Sequence, residues 1–340
     1  MEVAYNYSEK KWRIDKLIIY EMKINIPKFV VKVNKTGIEY FYLRNLAFEG
    51  EMFWVRTEYN KEFLSATGPL NFTEKRALKN FKKIILSFDK DQGASLFTCI
   101  FFSAQPWRAL KTKLSEKDYK SIIRIFKIFE NRWNFFWKEQ LIRGAFDGSK
   151  ILTLNLKNNK AFILKTIRNL SILYGQPKLP KTIPVFFIPL PKALKGISGQ
   201  YLQACSAIIL EASIDRVRER RALEVLLHEL VHLCFESSSY YEKIDQIQKS
   251  ELIKLRTGPK TIRGFQIPSF IFLVKEIIAT AATISLTQPF SLKEPLYPQL
   301  RDNIAYKIKP FIEKYIKEKR QIDQWLINKV ITLLKKQIRL

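Results

Sequence analysis

The run Leu226-Leu227-His228-Glu229-Leu230-Val231-His232-Leu233 sets two histidines four residues apart inside an apolar stretch. On a helix that spacing places both imidazoles on one face, where they can reach a single Zn²⁺, with Glu229 beside them as a base. The bland alternative is a pair of helix-surface histidines that happen to flank a glutamate. The chain has only 2 histidines. By composition, the chance that they fall four apart with an acidic residue after the first is roughly one in two thousand. A zinc-binding helix is the stronger reading.

With 340 residues the chain can bury a full core and is expected to divide into two or three structural units. Nothing in it reads as a signal peptide or a low-complexity tract, and the most apolar late stretch, Phe270–Leu286, carries Lys275 and Glu276 at its centre. A soluble protein without a transmembrane segment is expected. Cys99, Cys205 and Cys234 are odd in number, widely spaced and form no Cys-x-x-Cys pair. That argues against a disulfide framework and against a cysteine-ligated zinc knuckle, and so for a reducing, cytoplasmic setting. The net charge of +27 is concentrated: residues 148–210 hold nine Lys or Arg and no acid, and residues 301–340 hold eleven bases against four acids. Such an excess could steer nucleic acid, anionic lipid or an acidic protein to the surface, or it could reflect compositional bias alone.

Along the chain, Phe29–Val33, the turn signal Asn34-Lys35-Thr36-Gly37 and Ile38–Leu43 predict a β-hairpin, with Met52–Tyr59 as a third strand. Asn71-x-x-Glu74 predicts a capped helix to about Phe88, and Leu96–Phe102 a buried strand. Ser115-x-x-Asp118 opens a long helix whose stripe Ile122, Phe126, Phe129, Trp133, Phe136 and Trp137 reads as core. Turn residues at Ala145–Ser149 predict a boundary, followed by a strand over Ile151–Leu156, a helix over Phe162–Tyr174, and strands over Pro184–Ile188 and Ser206–Ala212. The histidine helix is expected from about Arg216 to Glu236, and an apolar helix is expected to start at Ser269. Two amphipathic basic helices are expected within 299–340. The fold class is therefore α+β, divided as an N-terminal α+β unit (1–147), a central domain carrying the histidine helix (148–290) and a basic helical segment (291–340).

A catalytic zinc needs three protein ligands and one open position. No third histidine exists, so a carboxylate must complete the set. Glu236 lies eight residues from His228, a rise of about 12 Å, which is too far. Glu251 and Glu276 remain. Glu276 is favoured because a carboxylate in an apolar helix is costly to bury without a cation, and Ala279, Thr280 and Thr283 would let that helix approach closely.

The motif and a downstream glutamate resemble the gluzincins, zinc metallopeptidases with a thermolysin-like catalytic core, over about residues 150–290. The resemblance implies a zincin-like fold of small mixed sheet, H-E-x-x-H helix and glutamate helix. It also implies Zn²⁺ on His228 and His232, Glu229 as general base on the metal's water, and hydrolysis of peptide bonds in a protein or peptide substrate as an endopeptidase. It puts the substrate-binding edge strand at Ala207–Ala212. Two departures stand out: Thr280 replaces the aspartate that often follows the ligand glutamate, and the interval from His232 to Glu276 is longer than thermolysin's. The Glu251 interval suits the aminopeptidase branch, and Gly199 with the following strand also resembles small peptidases that cleave transcriptional repressors. An oxyanion partner could be Tyr201, Tyr240, Tyr241 or Arg263. The competing expectation is a basic nucleic-acid-associated protein in which the H-E-x-x-H helix is structural or inactive.

Overall fold

Pro184-Val185-Phe186-Phe187-Ile188 and Ala207-Ile208-Ile209-Leu210 lack polar alternation, which a strand tolerates where both faces are covered. The computed structural model describes residues 27–49, 57–92, 95–175, 177–238, 241–242, 246, 261–262, 265–266, 270–287 and 299–338, and both runs are inner strands in it. Strand β1 (Lys28–Lys32) pairs parallel with β2 (Thr182–Pro189), and β2 pairs parallel with β4 (Ala207–Ala212). Strand β3 (Ile197–Leu202) lies at the edge, antiparallel to β4. The result is an α+β fold, mostly helical, around a small mixed sheet.

Alternate side chains of the inner strands feed two cores. Ile183, Val185, Phe187, Ile208 and Leu210 enter one; Phe186, Ile188, Ala207 and Ile209 enter the other. The second core is built with α1 (Lys35–Ala47), α2 (Thr57–Thr67), α3 (Phe72–Gln92), α4 (Leu96–Phe102), α5 (Pro106–Lys113) and α6 (Glu116–Phe136). It is rich in rings: Tyr40 stacks on Phe101 at 4.3 Å, Phe101 on Phe126 at 5.3 Å, and the α6 stripe expected as core is buried. Reciprocal bonds between Asn71 and Glu74 cap α3, as their spacing predicts, and the Ser115 hydroxyl accepts from the Asp118 amide at the start of α6.

Through a π turn, Trp137–Leu141, α6 continues into α7 (Ile142–Asn158), and α8 (Lys160–Leu173) follows. The first core takes side chains from α7, α8, α9 (Ile214–Arg218), α10 (Arg221–Glu236), α11 (Phe270–Leu286), α12 (Gln299–Lys317) and α13 (Gln324–Ile338). The two C-terminal helices are present as expected. Their inner faces, Ile304, Ile308, Ile312, Leu326, Val330 and Leu334, are buried in the same core as the histidine helix. Among the described residues no helix is long and apolar enough to cross a membrane.

Several local expectations are overturned. Asn34 makes no hairpin turn: its side chain accepts from the Gly37 amide at 2.9 Å and caps α1, so Ile38–Leu43 is helical and β1 pairs with β2 instead. Leu96–Phe102 is a helix, because its rings are buried in tertiary contacts that override strand propensity. Thr57–Tyr59 opens α2, while Met52–Arg56 lies outside the described residues. Ala145–Ser149 and Ile151–Leu156 both fall inside α7. Gly148, which looked like a turn residue, is a contact point: a Cβ there would come within 2.5 Å of the Phe187 ring on β2. The histidine helix starts later than expected, at Arg221, because Arg220 takes a left-handed conformation with φ of 62°.

Cys99 on α4 and Cys205, in the turn between β3 and β4, form a disulfide with their Cα atoms 5.9 Å apart and a sequence separation of 106. This corrects the expectation of unpaired cysteines and removes the ground for a reducing setting. Cys234 is free and buried.

Burial pushes the Glu39 carboxyl on α1 up from 4.5 to about 8, with Lys35 opposing and Glu130 adding to the rise. The folded chain therefore holds a proton that the unfolded chain has lost, and stability falls as pH rises from 4.5 towards 8. Glu39→Gln is expected to melt above the parent at pH 8.5 and level with it at pH 4, as thermal unfolding at the two pH values would report.

Candidate metal centre

Helix α10 crosses the face of β3 and β4 that lines the first core, and it is apolar nearly all round, with Leu226, Leu227, Leu230, Val231 and Leu233 buried. Its polar groups therefore have to find partners within the protein. Helix α11 lies against it, and Ala279, Ala281 and Ala282 are buried there, which keeps side-chain bulk low. Glu276 projects from α11 towards the two histidines. Its Oε1 is 3.1 Å from His232 Nε2, its Oε2 is 3.5 Å from His228 Nε2, and the two Nε2 atoms are 3.1 Å apart.

The His228–His232 and His232–Oε1 separations, both 3.1 Å, are close to those of a tetrahedral donor set. Donors held 2.0–2.1 Å from one ion at tetrahedral angles stand about 3.3–3.4 Å from one another. One ligand atom from each of His228, His232 and Glu276 lies within 4.8 Å of the other two, the one such group among the described residues. The structure thus brings together the three residues expected from sequence. Glu251 lies outside the described residues, as do Tyr240 and Arg263.

The polarity around each group follows from its neighbours. Burial would raise the Glu276 carboxyl, but His232 and His228 beside it hold it well below the usual carboxylate range. Burial opposes charge on His232, yet Glu276, Glu229 and Glu236 lift it to about 9. Thr283, two turns along α11 from Glu276, was noticed in the sequence only for its small size. Its hydroxyl donates to the Ala279 carbonyl at 2.8 Å and stands 3.2 Å from His228 Nδ1. With its one proton already donated, that oxygen can only accept, so Nδ1 carries the hydrogen and Nε2 is the ring nitrogen turned towards Glu276.

Glu229 is buried on the same helix. Its Oε2 accepts the Tyr201 amide proton of β3 at 2.7 Å. Burial raises its pKa, while His232, His228 and the Tyr201 amide act to lower it. Gly199 makes room for this contact, since a Cβ there would meet Glu229 Cγ and Val225 Cγ1 at 2.7 Å. Tyr201 thus takes part through its backbone. Tyr241 meets Phe235 edge to face, with Lys275 4.3 Å above the Tyr241 ring. The edge strand is β3 and not Ala207–Ala212, which lies between β2 and β3. Strand order across a sheet is not visible in a string of apolar residues.

Arg301, in the first turn of α12, was not singled out in the sequence. Its Nη1 donates to Glu276 Oε2 at 2.5 Å. No spacing rule links positions 276 and 301, and only the packing of α12 on α11 reveals the pair.

Comparison of the chain with protein-family models, with curated proteins and with solved structures finds no match.

Loss of a hydrogen bond that orients a metal-binding histidine typically costs about 10–100-fold in metal affinity. Thr283→Val is expected to weaken zinc binding by about that factor and Thr283→Ser to retain it, because only the hydroxyl can accept from Nδ1. Competition against a chromophoric chelator would measure both.

Proposed function

We propose that the chain is a zinc-dependent peptidase of the gluzincin type, with a zincin-like core in which His228, His232 and Glu276 hold the metal and Glu229 is the general base. The carrying observation is the meeting of two imidazole Nε2 atoms and a buried carboxylate at 3.1–3.5 Å, supplied by helices distant in sequence. The donor set, two imidazole nitrogens and one carboxylate, suits zinc and would leave a fourth position open.

When bound, zinc would supply Lewis acidity towards a scissile carbonyl and lower the pKa of a water molecule. The chain's own part is to bind the substrate and move the proton. Tyr201 N–H bonds Glu229 and not β4, so it lies on the free side of β3. By strand alternation the Gly199 backbone also faces that side. Among the described residues nothing pairs with this edge. An extended peptide added alongside β3 would carry its carbonyls past Glu229. The amide on Oε2 fixes the carboxylate, whose other oxygen, Oε1, would take a proton from the attacking water and return it to the leaving amine.

The competing reading, a basic nucleic-acid-associated protein, draws on Lys150, Lys157, Lys160, Lys165 and Arg168, all exposed on α7 and α8. It offers no reason to bury a His–His–Glu cluster, whose desolvation is costly without a ligand or strict pairing.

Glu229→Gln keeps the shape and the Tyr201 contact but cannot accept a proton. Hydrolysis of a fluorescently labelled unfolded protein is expected to fall by about 10²–10⁴-fold while zinc content stays near that of the parent. Parent-like cleavage by the variant would remove Glu229 from its role, and a parent that binds no zinc would defeat the reading as a whole.

A further inference from the structure

We propose that Arg301 is a positioning residue for the metal centre: it occupies one oxygen of Glu276 so that the carboxylate presents the other as a single-oxygen ligand. The inference rests on the metal-site reading above and adds to it a residue from the C-terminal segment.

The two oxygens of Glu276 have different neighbours. Oε2 receives the Arg301 guanidinium at 2.5 Å and stands 3.5 Å from His228 Nε2, whereas Oε1 is 3.1 Å from His232 Nε2. A charge-assisted bond to a guanidinium is directional and strong enough to fix the rotation of a carboxylate. The Arg301 side chain is 11% exposed, so little solvent competes with the pair. With Oε2 held, Glu276 offers one oxygen and not two, and the fourth position of a tetrahedral ion stays open for water or substrate. The cation also draws electron density from the carboxylate, which reduces the charge it donates.

The same contact changes the standing of the C-terminal segment. By charge, 301–340 looks like a basic appendage, but Arg301 stands in the first turn of α12, whose Ile304, Ala305 and Ile308 are fully buried in the core shared with α10 and α11. Helix α12 is therefore a wall of the centre.

The test compares the full-length parent, Arg301→Lys and Arg301→Met by three measurements: zinc affinity, the visible absorption of the cobalt-substituted protein, and thermal unfolding. The parent should give the intense cobalt band of a four-coordinate site. In Arg301→Met the released carboxylate can bind through both oxygens, so the band should weaken and shift while zinc affinity falls by about 10–100-fold. Arg301→Lys, which keeps the charge but not the planar fork, should lie between the two. A purely structural arginine would lower the melting temperature without altering the cobalt band of the folded protein, and that result overturns the proposal. If Arg301→Met does not fold, the lysine variant decides: a parent-like band and affinity there likewise overturn it. A parent that takes up neither metal fails before any variant is compared, and it sinks the metal-site reading and this inference together.

Discussion

The ionised Glu276 carboxylate, sunk in an otherwise apolar helix, is the interaction around which the first core is arranged. A lone carboxylate there would be heavily penalised, and it is tolerated because α10 brings two imidazoles to it and α12 a guanidinium. One group therefore ties three helices together at a point. Apolar packing alone, through Ala279, Ala281 and Ala282, would let α11 slide or turn against its neighbours; the polar contacts fix its register. Removing one partner of such a set typically costs about 3–5 kcal/mol, because the others are left as uncompensated buried charge. With the carboxylate gone, Arg301 would face the imidazoles with nothing between them.

The sheet transmits this order to the strand that would meet a substrate. Among the described residues strand β3 has a neighbour on one side only, and an edge strand held by a single ladder is free to twist or slip. Here it is held from both faces as well. From the α10 side Glu229 takes the Tyr201 amide. From the other, Glu211 on β4 accepts the Ser198 hydroxyl at 3.0 Å and the Tyr59 hydroxyl of α2 at 2.5 Å. The Cys99–Cys205 disulfide fastens the turn at its end to α4. The N-terminal helices thus stiffen the rear of the edge whose front carries Glu229, the proposed base.

Periodic features were legible in the sequence and contextual ones were not. The aromatic stripe of α6, the caps of α3 and α6, the doubly buried strands and the histidine helix each follow from local spacing, and each is present. The pairing of His228, His232 and Glu276 was reachable because only a metal or a cation excuses a carboxylate at that place. The errors share one cause. Phe41, Tyr42, Phe97 and Phe101 favour strands by propensity, but they are buried against other helices, and tertiary packing overrode the local preference. Gly148 has the composition of a turn residue but serves as a close contact between α7 and β2. Arg301 and the Cys99–Cys205 pair carry no local signature at all, because each depends on elements that meet only once the chain has folded.

Gly199 shows how closely the proposed base and ligands are linked. Glu229 reaches β3 through a gap where a methyl group would collide with both Glu229 Cγ and Val225 Cγ1. Val225, His228, Glu229 and His232 lie on one helix, so a larger residue at position 199 would have to turn the Glu229 and Val225 side chains aside or push α10 away from the strand. Either change would open the Glu229–Tyr201 bond, and a displaced α10 would also draw both histidines away from Glu276. The strand surface, the proton acceptor and the donor set are therefore not independent parts: their common reference is the contact distance between α10 and the edge strand, and that distance depends on the absence of a side chain at one residue.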